Sequence, residues 1–148
     1  MIIEDSNVNF KQSVAVNVVA FTNEKYEILL GKKSNESLYY LIGGFVDRTD
    51  IDLEHSARRE FFEKTGGCEI GDLRYVASAQ INNLSCEKPG TITTLFLGKF
   101  IFGINKLTND NAELKWVNPF EIDIETEVME EYQELYKKLL VMLDKLFY

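Results

Sequence analysis

The segment GGFVDRTDIDLEHSARREFFEKTG, residues 43–66, gathers the residue types best suited to chemistry. A double glycine leaves an apolar run, a polar loop comes next, and a helical stretch then carries Arg59-Glu60-x-x-Glu63. An α-helix turns about 100° per residue, so Glu60 and Glu63 lie about 60° apart on one face, one turn from each other. Two carboxylates that close can share a hard cation such as Mg²⁺, which prefers oxygen ligands. A glycine turn beside them lets the backbone approach a ligand closely. This is equipment for metal-assisted attack on a phosphate ester or anhydride.

The surrounding elements must hold that helix in place. The valine-rich stretch at 13–21 reads as a strand, followed by a turn at 22–25 and a second strand at 26–32. A third strand at 39–46 runs into the glycines. The helix is expected over 53–65, with Asp52 as its N-cap and Gly66-Gly67 as its stop. Strands are expected next at 73–81 and 91–102, separated by a polar loop at 82–90 that contains Pro89 and Gly90. A second polar loop at 105–111 leads to a short strand at 113–117, and Pro119 restricts the conformation of the chain beyond it. A last helix is expected over 125–146. Val128, Tyr132, Leu135, Leu139, Met142 and Leu146 recur along it at steps of four and three. That stripe suits packing on the sheet, with a dimer contact as its alternative use. Strands with one internal and one terminal helix imply an α/β fold with a mixed sheet between helical layers.

The segment resembles the Nudix box, G-x5-E-x7-R-E-U-x-E-E-x-G-U with U a bulky apolar residue. The match rests on Gly44, Arg59, Glu60, Phe61, Glu63 and Gly66, with Gly43 as the usual preceding glycine. The resemblance implies an α/β/α sandwich, a single domain over residues 1–148, and a Mg²⁺- or Mn²⁺-dependent hydrolase. It implies that Glu60 is a metal ligand or the group that activates water, that Glu63 is a metal ligand, and that the Gly43 carbonyl faces the metal. Arg59 would orient the neighbouring glutamate. The substrate implied is a nucleoside diphosphate linked to another moiety. ADP-ribose heads the candidates because relatives acting on it share the GGFV form of the box.

Three departures stand beside the match. The interval from Gly44 to Arg59 is one residue longer than the pattern's. The early glutamate has no clear counterpart, with Asp50 or Asp52 the nearest acid. The second glutamate of the pair is Lys64, and the closing apolar residue is Gly67. A lysine at position 64 would repel Mg²⁺ and partly neutralise Glu60, while offering a cation to a substrate phosphate. The alternative to a working enzyme is therefore a catalytically impaired Nudix domain that binds a nucleotide derivative as a sensor or interaction module.

Other residues are weighed against plainer roles. Glu60 could pair with Lys64, and Glu63 with Arg59, as i,i+4 surface partners. Asp110 and Glu113 lie just before Trp116, where many relatives place a further acid; a solvated loop acid is the plainer reading. Phe61 and Trp116 read as core, His55 as surface. Phe62 is open, and Tyr39, Tyr40 and Tyr75 could stack on a base.

Composition bounds the rest. The chain has 148 residues, 45% of them hydrophobic, and a formal net charge of −8. That fits one soluble domain with a core and argues against a basic nucleic-acid footprint. An acidic protein handling an anionic diphosphate needs cations between the two. The two cysteines, Cys68 and Cys86, lack metal-site spacing and read as incidental thiols of a reduced cytoplasmic protein. No signal peptide is expected, because the opening MIIEDSNVNF carries acids where a signal needs a basic start, and no apolar run approaches a membrane span. A small-molecule partner is expected, without nucleic acid or membrane. The sequence by itself does not set the oligomeric state, and the resemblance adds a homodimer as the assembly common among Nudix proteins.

Overall fold

The structure is a computed structural model that describes residues 13–22, 26–35, 37–81, 90–103 and 112–148. Cys86, Pro89, Asp110 and most of the loops expected at 82–90 and 105–111 lie outside the described residues. Among the described residues, seven strands form one mixed sheet, with a helix over each face.

The sheet is organised around β1 (Ser13–Thr22). One edge of β1 runs parallel to β6 (Thr91–Phe102) from Ser13 to Phe21. Its other edge forks. The first half, Ala15 to Val18, pairs antiparallel with β4 (Ile42–Phe45), and the second half, Ala20 to Thr22, pairs antiparallel with β2 (Glu27–Lys33). Beyond β2 lie β3 (Tyr39–Tyr40) and β7 (Ala112–Val117), and β5 (Glu69–Ile81) flanks β6. The strand expected at 39–46 is thus two short strands. The chain changes partner at Leu41, leaving β2 for β1, because one straight strand cannot follow both arms of the fork.

Alternation along β1 feeds two cores. Val16, Val18 and Ala20 point to the face covered by α1 (Leu53–Lys64), where they meet Ala57, Phe61 and Leu29. Val19 and Phe21 point to the other face, covered by α3 (Gln133–Phe147), where they meet Leu135, Leu139, Leu143 and Phe147. Phe61 is fully buried, and Trp116 packs edge-on to Phe100 at 5.2 Å beside the α1 core, so both are packing residues as expected.

Helix α1 begins where the sequence indicates: the Asp52 side chain accepts the His55 N–H at 2.7 Å. It stops at Thr65, whose hydroxyl and N–H both reach the Phe61 carbonyl. Gly66 and Gly67 then take φ of 71° and 106°, the left-handed region that favours glycine.

The expectation of one long helix from 125 to 146 is corrected. The segment is α2 (Ile124–Glu127), an extended break at Val128, a 3₁₀ turn at Glu130–Tyr132, and then α3. Val128 bridges to Tyr39, and the Met129 N–H donates to the Tyr39 carbonyl at 3.0 Å. Pairing with β3 outweighs local helical preference there. The buried stripe of α3 is Leu135, Tyr136, Leu139, Leu143 and Phe147, and the expected Tyr132, Met142 and Leu146 are partly buried against the same core. Buried Tyr136 donates its hydroxyl to the Pro119 carbonyl at 2.7 Å, and burial pushes its phenol pKa up. Among the described residues, no helix is long and apolar enough to cross a membrane.

Candidate active site

The expected residues of α1 do converge. Arg59 is their hub. Its Nε and Nη2 donate to Asp50 Oδ1 and Oδ2 at 2.9 and 2.8 Å, and Nη2 also reaches the Phe45 carbonyl at 3.2 Å. Nη1 donates to Glu60 Oε2 at 3.0 Å and to Glu63 Oε2 at 3.3 Å. One planar guanidinium therefore fixes three carboxylates and the end of β4 together. The adjacent Arg58 turns the other way and ties α1 to the Ile70 and Gly71 carbonyls of β5.

Asp50 and Asp52 have different partners. Asp52 caps the helix, whereas Asp50 is the partner of Arg59. Asp50 lies five intervening residues after Gly44, the interval of the first acid in the box pattern, so the extra residue falls between Asp50 and Arg59. The Asp50 side chain is wholly shielded from solvent, and it also accepts the Ser56 hydroxyl at 2.6 Å and the Asp47 N–H at 2.8 Å. The bonds from Arg59, then Ser56, hold its carboxyl well below the usual carboxylate range, against the opposing pull of desolvation. Reciprocally, Asp50 first and Glu60 next raise the Arg59 pKa.

Glu60 is the buried acid of the helix, 6% exposed. Its carboxylate lies directly against Gly44, where any Cβ would collide with it. Oε2 is taken by Arg59, whereas Oε1 has no hydrogen-bond partner. Lys64 Nζ stands 3.9 Å from Oε1, on a half-exposed side chain. Glu63 is 56% exposed at its side chain and stands at the mouth of the group.

Gly43 is placed by the register of β4. The Val46 N–H donates to the Val14 carbonyl, so Val14–Val46, Val16–Gly44 and Val18–Ile42 are the hydrogen-bonded pairs of the ladder. Asn17–Gly43 and Ala15–Phe45 are then the non-hydrogen-bonded pairs, and the Gly43 and Phe45 carbonyls point away from β1. Arg59 grips Phe45 on that outer edge. The Gly43 carbonyl opens onto the same edge. A Cβ on Gly43 would collide with Val16 and Asn17.

Glu60 Oε1, Glu63 and the Gly43 carbonyl are oxygen donors, the chemistry a hard divalent cation takes. An orphaned buried carboxylate oxygen fits such a cation. Among the described residues, however, no group of three or more His, Cys, Asp and Glu side chains stands ready as a cage, because Asp50 is spent on Arg59 and position 64 is a lysine.

Several other candidates stand elsewhere. Glu113 lies on β7, which pairs with β2, and its ion pair is with Lys115 at 3.9 Å. Tyr39 is buried beneath Lys32, the Tyr40 ring lies over Gly31, and exposed Tyr75 bonds to Ser78, so the three tyrosines do not converge. Phe62 is half exposed, and a Cβ on Gly67 would just touch its ring. His55 accepts the Ile51 N–H at 2.9 Å, a surface turn role.

A feature not anticipated from the sequence is a cleft of about 180 Å³ on the opposite side of β4, lined by Gly43, Gly44, Phe45, Asn17, Glu131 and Tyr132 among others. Asn17 is its one available signal, an asparagine inside the run VAVNVVAF. Its Nδ2 donates to the Leu41 carbonyl at 3.1 Å and its Oδ1 accepts from Thr93 at 2.7 Å, which stitches β4 and β6 to β1.

The fold is similar to that of several solved structures. The NUDIX domain of Shewanella oneidensis NrtR, complexed with ADP ribose, superposes with a TM-score of 0.72 at 20% identity, covering 95% of this chain and 94% of that one. A MutT NUDIX hydrolase from Burkholderia pseudomallei gives 0.71 at 14% identity, covering 88% and 99%. A chain from a study of MutT of Aliivibrio salmonicida and Vibrio cholerae gives 0.69 at 16%, covering 89% and 99%. No curated protein matches in sequence. The NUDIX domain family model, by contrast, matches residues 11–139, most of the chain and the whole of the carboxylate site on α1, and on that match this chain belongs to the Nudix family.

Proposed function

We propose that this Nudix domain hydrolyses a nucleoside diphosphate linked to another moiety, with ADP-ribose-like compounds as the leading substrates. The observation that carries the reading is Glu60: a buried carboxylate with Oε2 fixed by Arg59 and Oε1 left without a hydrogen bond beside Gly44. Leaving such an oxygen unsatisfied costs stability unless it serves a ligand. The ADP ribose bound by the NrtR NUDIX domain supports the choice of ligand class.

In this reading Glu60, Glu63 and the Gly43 carbonyl would hold Mg²⁺ or Mn²⁺, which would supply charge stabilisation at the phosphate oxygens. Arg59 keeps the Glu60 carboxylate aimed at the outer edge of β4. The Glu60 Oε1 is placed either to ligate the cation or to accept a proton from the attacking water. The water oxygen bonds to one phosphorus, the bridging P–O bond breaks, and the bridging oxygen leaves with the other phosphate. For ADP-ribose the products are AMP and ribose 5-phosphate. Lys64, half exposed and long enough to leave Glu60, contacts a substrate phosphate.

The second reading, a binding module without turnover, is favoured by one distance. Lys64 Nζ at 3.9 Å already offsets the charge that Glu60 would offer a cation. Incubation of the protein with Mg²⁺ or Mn²⁺ and a panel of dinucleotides, ADP-ribose, nucleotide sugars and nucleoside triphosphates separates the two. Turnover of diphosphate-linked compounds supports the hydrolase. Absence of turnover, with one compound still raising the melting temperature, supports the module and overturns the hydrolase for the compounds tested.

A further inference from the structure

The ion pair of Glu60 and Lys64 has one fixed end and one free end. Arg59 holds Glu60 Oε2 at 3.0 Å, and Gly44 backs the carboxylate. Lys64 is half exposed, on a flexible four-carbon stem. Its Nζ stands 3.9 Å from Oε1, too far for a direct hydrogen bond. Oε1, on an almost wholly buried carboxylate, therefore has a cation nearby but no donor.

The arginines of α1 are not free to exchange. A guanidinium has five N–H groups, and Arg59 makes five bonds with them, to Asp50, Phe45, Glu60 and Glu63. Arg58 is turned to the Ile70 and Gly71 carbonyls of β5. Lys64 is thus the cation of this helix that can change partner without breaking the group around Arg59.

Lys64 and a divalent cation compete for one oxygen. A hard cation bonds a carboxylate oxygen at about 2.0–2.6 Å. With Nζ 3.9 Å from the same oxygen, the two positive charges would be close neighbours at a poorly hydrated carboxylate, and their repulsion opposes joint occupancy. A diphosphate reverses that balance. Its oxygens accept hydrogen bonds from an ammonium and carry the negative charge that both cations need.

We propose that Lys64 is an exchangeable internal counter-ion: it offsets the charge of Glu60 in the free protein and moves to a diphosphate oxygen when ligand binds, so that diphosphate and divalent-cation binding are coupled through this one side chain. The inference rests on the diphosphate reading and holds with or without turnover. It gives the departure at position 64 a use. A carboxylate there would favour metal with or without ligand, whereas lysine makes metal loading depend on the ligand. Coupling of this kind is reciprocal, so the metal must tighten the ligand by the factor by which the ligand tightens the metal.

The test measures Mn²⁺ affinity from the free-ion paramagnetic resonance signal, with and without saturating α,β-methylene-ADP-ribose, a non-hydrolysable diphosphate analogue, in the wild type and in Lys64→Met. Protein-free titrations correct for Mn²⁺ held by the analogue alone, and melting temperature checks folding. A cation shared by carboxylate and phosphate gives some coupling in both proteins; the movement of Lys64 adds to it in the wild type alone. The analogue is expected to tighten Mn²⁺ by a factor about tenfold larger in the wild type than in Lys64→Met. Calorimetric titration of the analogue with and without Mn²⁺ should return the same factor for each protein. Factors within about twofold of each other in the two folded proteins overturn the exchange and leave the diphosphate reading standing. Binding of the analogue by a wild type that takes up no Mn²⁺ in either condition does the same. Failure of the folded wild type to bind the analogue, with or without Mn²⁺, overturns the diphosphate reading and the exchange with it.

Discussion

Helix α3 rests on its face of the sheet through Leu135, Tyr136, Leu139, Leu143 and Phe147, whereas α1 buries Ser56, Ala57, Glu60 and Phe61 on the other. The α3 contact is apolar and tolerant of small shifts, since burial energy scales with area more than with direction. The α1 contact depends on direction. It is a guanidinium shared among Asp50, Glu60 and Glu63, a carboxylate seated on Gly44, and Arg58 bonded to two carbonyls of β5. The α3 face therefore contributes packing, whereas the α1 face adds to its own core a charged group held in a fixed pose. Changes on the two faces should separate stability from function.

The largest effect is expected from Leu139→Ala, which empties a fully buried position of the α3 core. It should cost about 2–5 kcal/mol in urea unfolding while the folded remainder binds ligand nearly as before. A large loss of ligand affinity at unchanged stability would erase the division between the faces.

Gly44→Ala tests the other side. The added methyl overlaps the Glu60 carboxylate, so the stability cost should be smaller, about 1–3 kcal/mol. Turnover should nevertheless fall at least about a hundredfold, because small displacements at a reacting centre cost that much. Full activity in this variant would show that Glu60 does not work from its seat on Gly44.

Lys64→Met sharpens the electrostatic part. Removing a cation 3.9 Å from Glu60 Oε1 should tighten Mn²⁺ binding about tenfold, read from the free-ion paramagnetic resonance signal, with little change in melting temperature. Lys64→Glu should tighten it further. Flat Mn²⁺ affinity in both would mean that Lys64 does not limit the site.

The smallest effect concerns pH. The folded pKa of Asp50 is depressed, chiefly by Arg59, so its contribution to stability is present above the unfolded carboxylate value of about 3.9 and is lost as pH falls below that toward the folded value. Asp50→Asn should flatten the acid limb of the stability profile below about pH 4 and leave the slope above pH 5 unchanged. An identical acid limb in the variant would remove Asp50 from the account.

Much of α1 was legible in the sequence because its signals are local. Asp52 and Gly66-Gly67 mark its ends, and the shared face of Glu60, Glu63 and Lys64 is set by helical spacing. The features that the sequence withheld depend on chain path. Asp50 and Asp52 are both acids two residues apart, and their division into ion pair and cap is set by the turn in which the Asp47 N–H bonds Asp50. The apolar stripe of the last segment correctly marks Val128 as buried, yet Val128 is extended because Tyr39 pairs with it. The fork at Leu41 and the cleft beyond β4 join residues from distant strands, for which no local pattern exists.

As proposed, Glu60, held by Arg59 and seated on Gly44, makes this Nudix domain a hydrolase. Turnover of ADP-ribose with Mg²⁺ should be compared between the wild type and Glu60→Gln, both shown to be folded. Loss of nearly all AMP formation in the variant, with ADP-ribose still bound, is the result this account predicts. Equal turnover by the two proteins would contradict it.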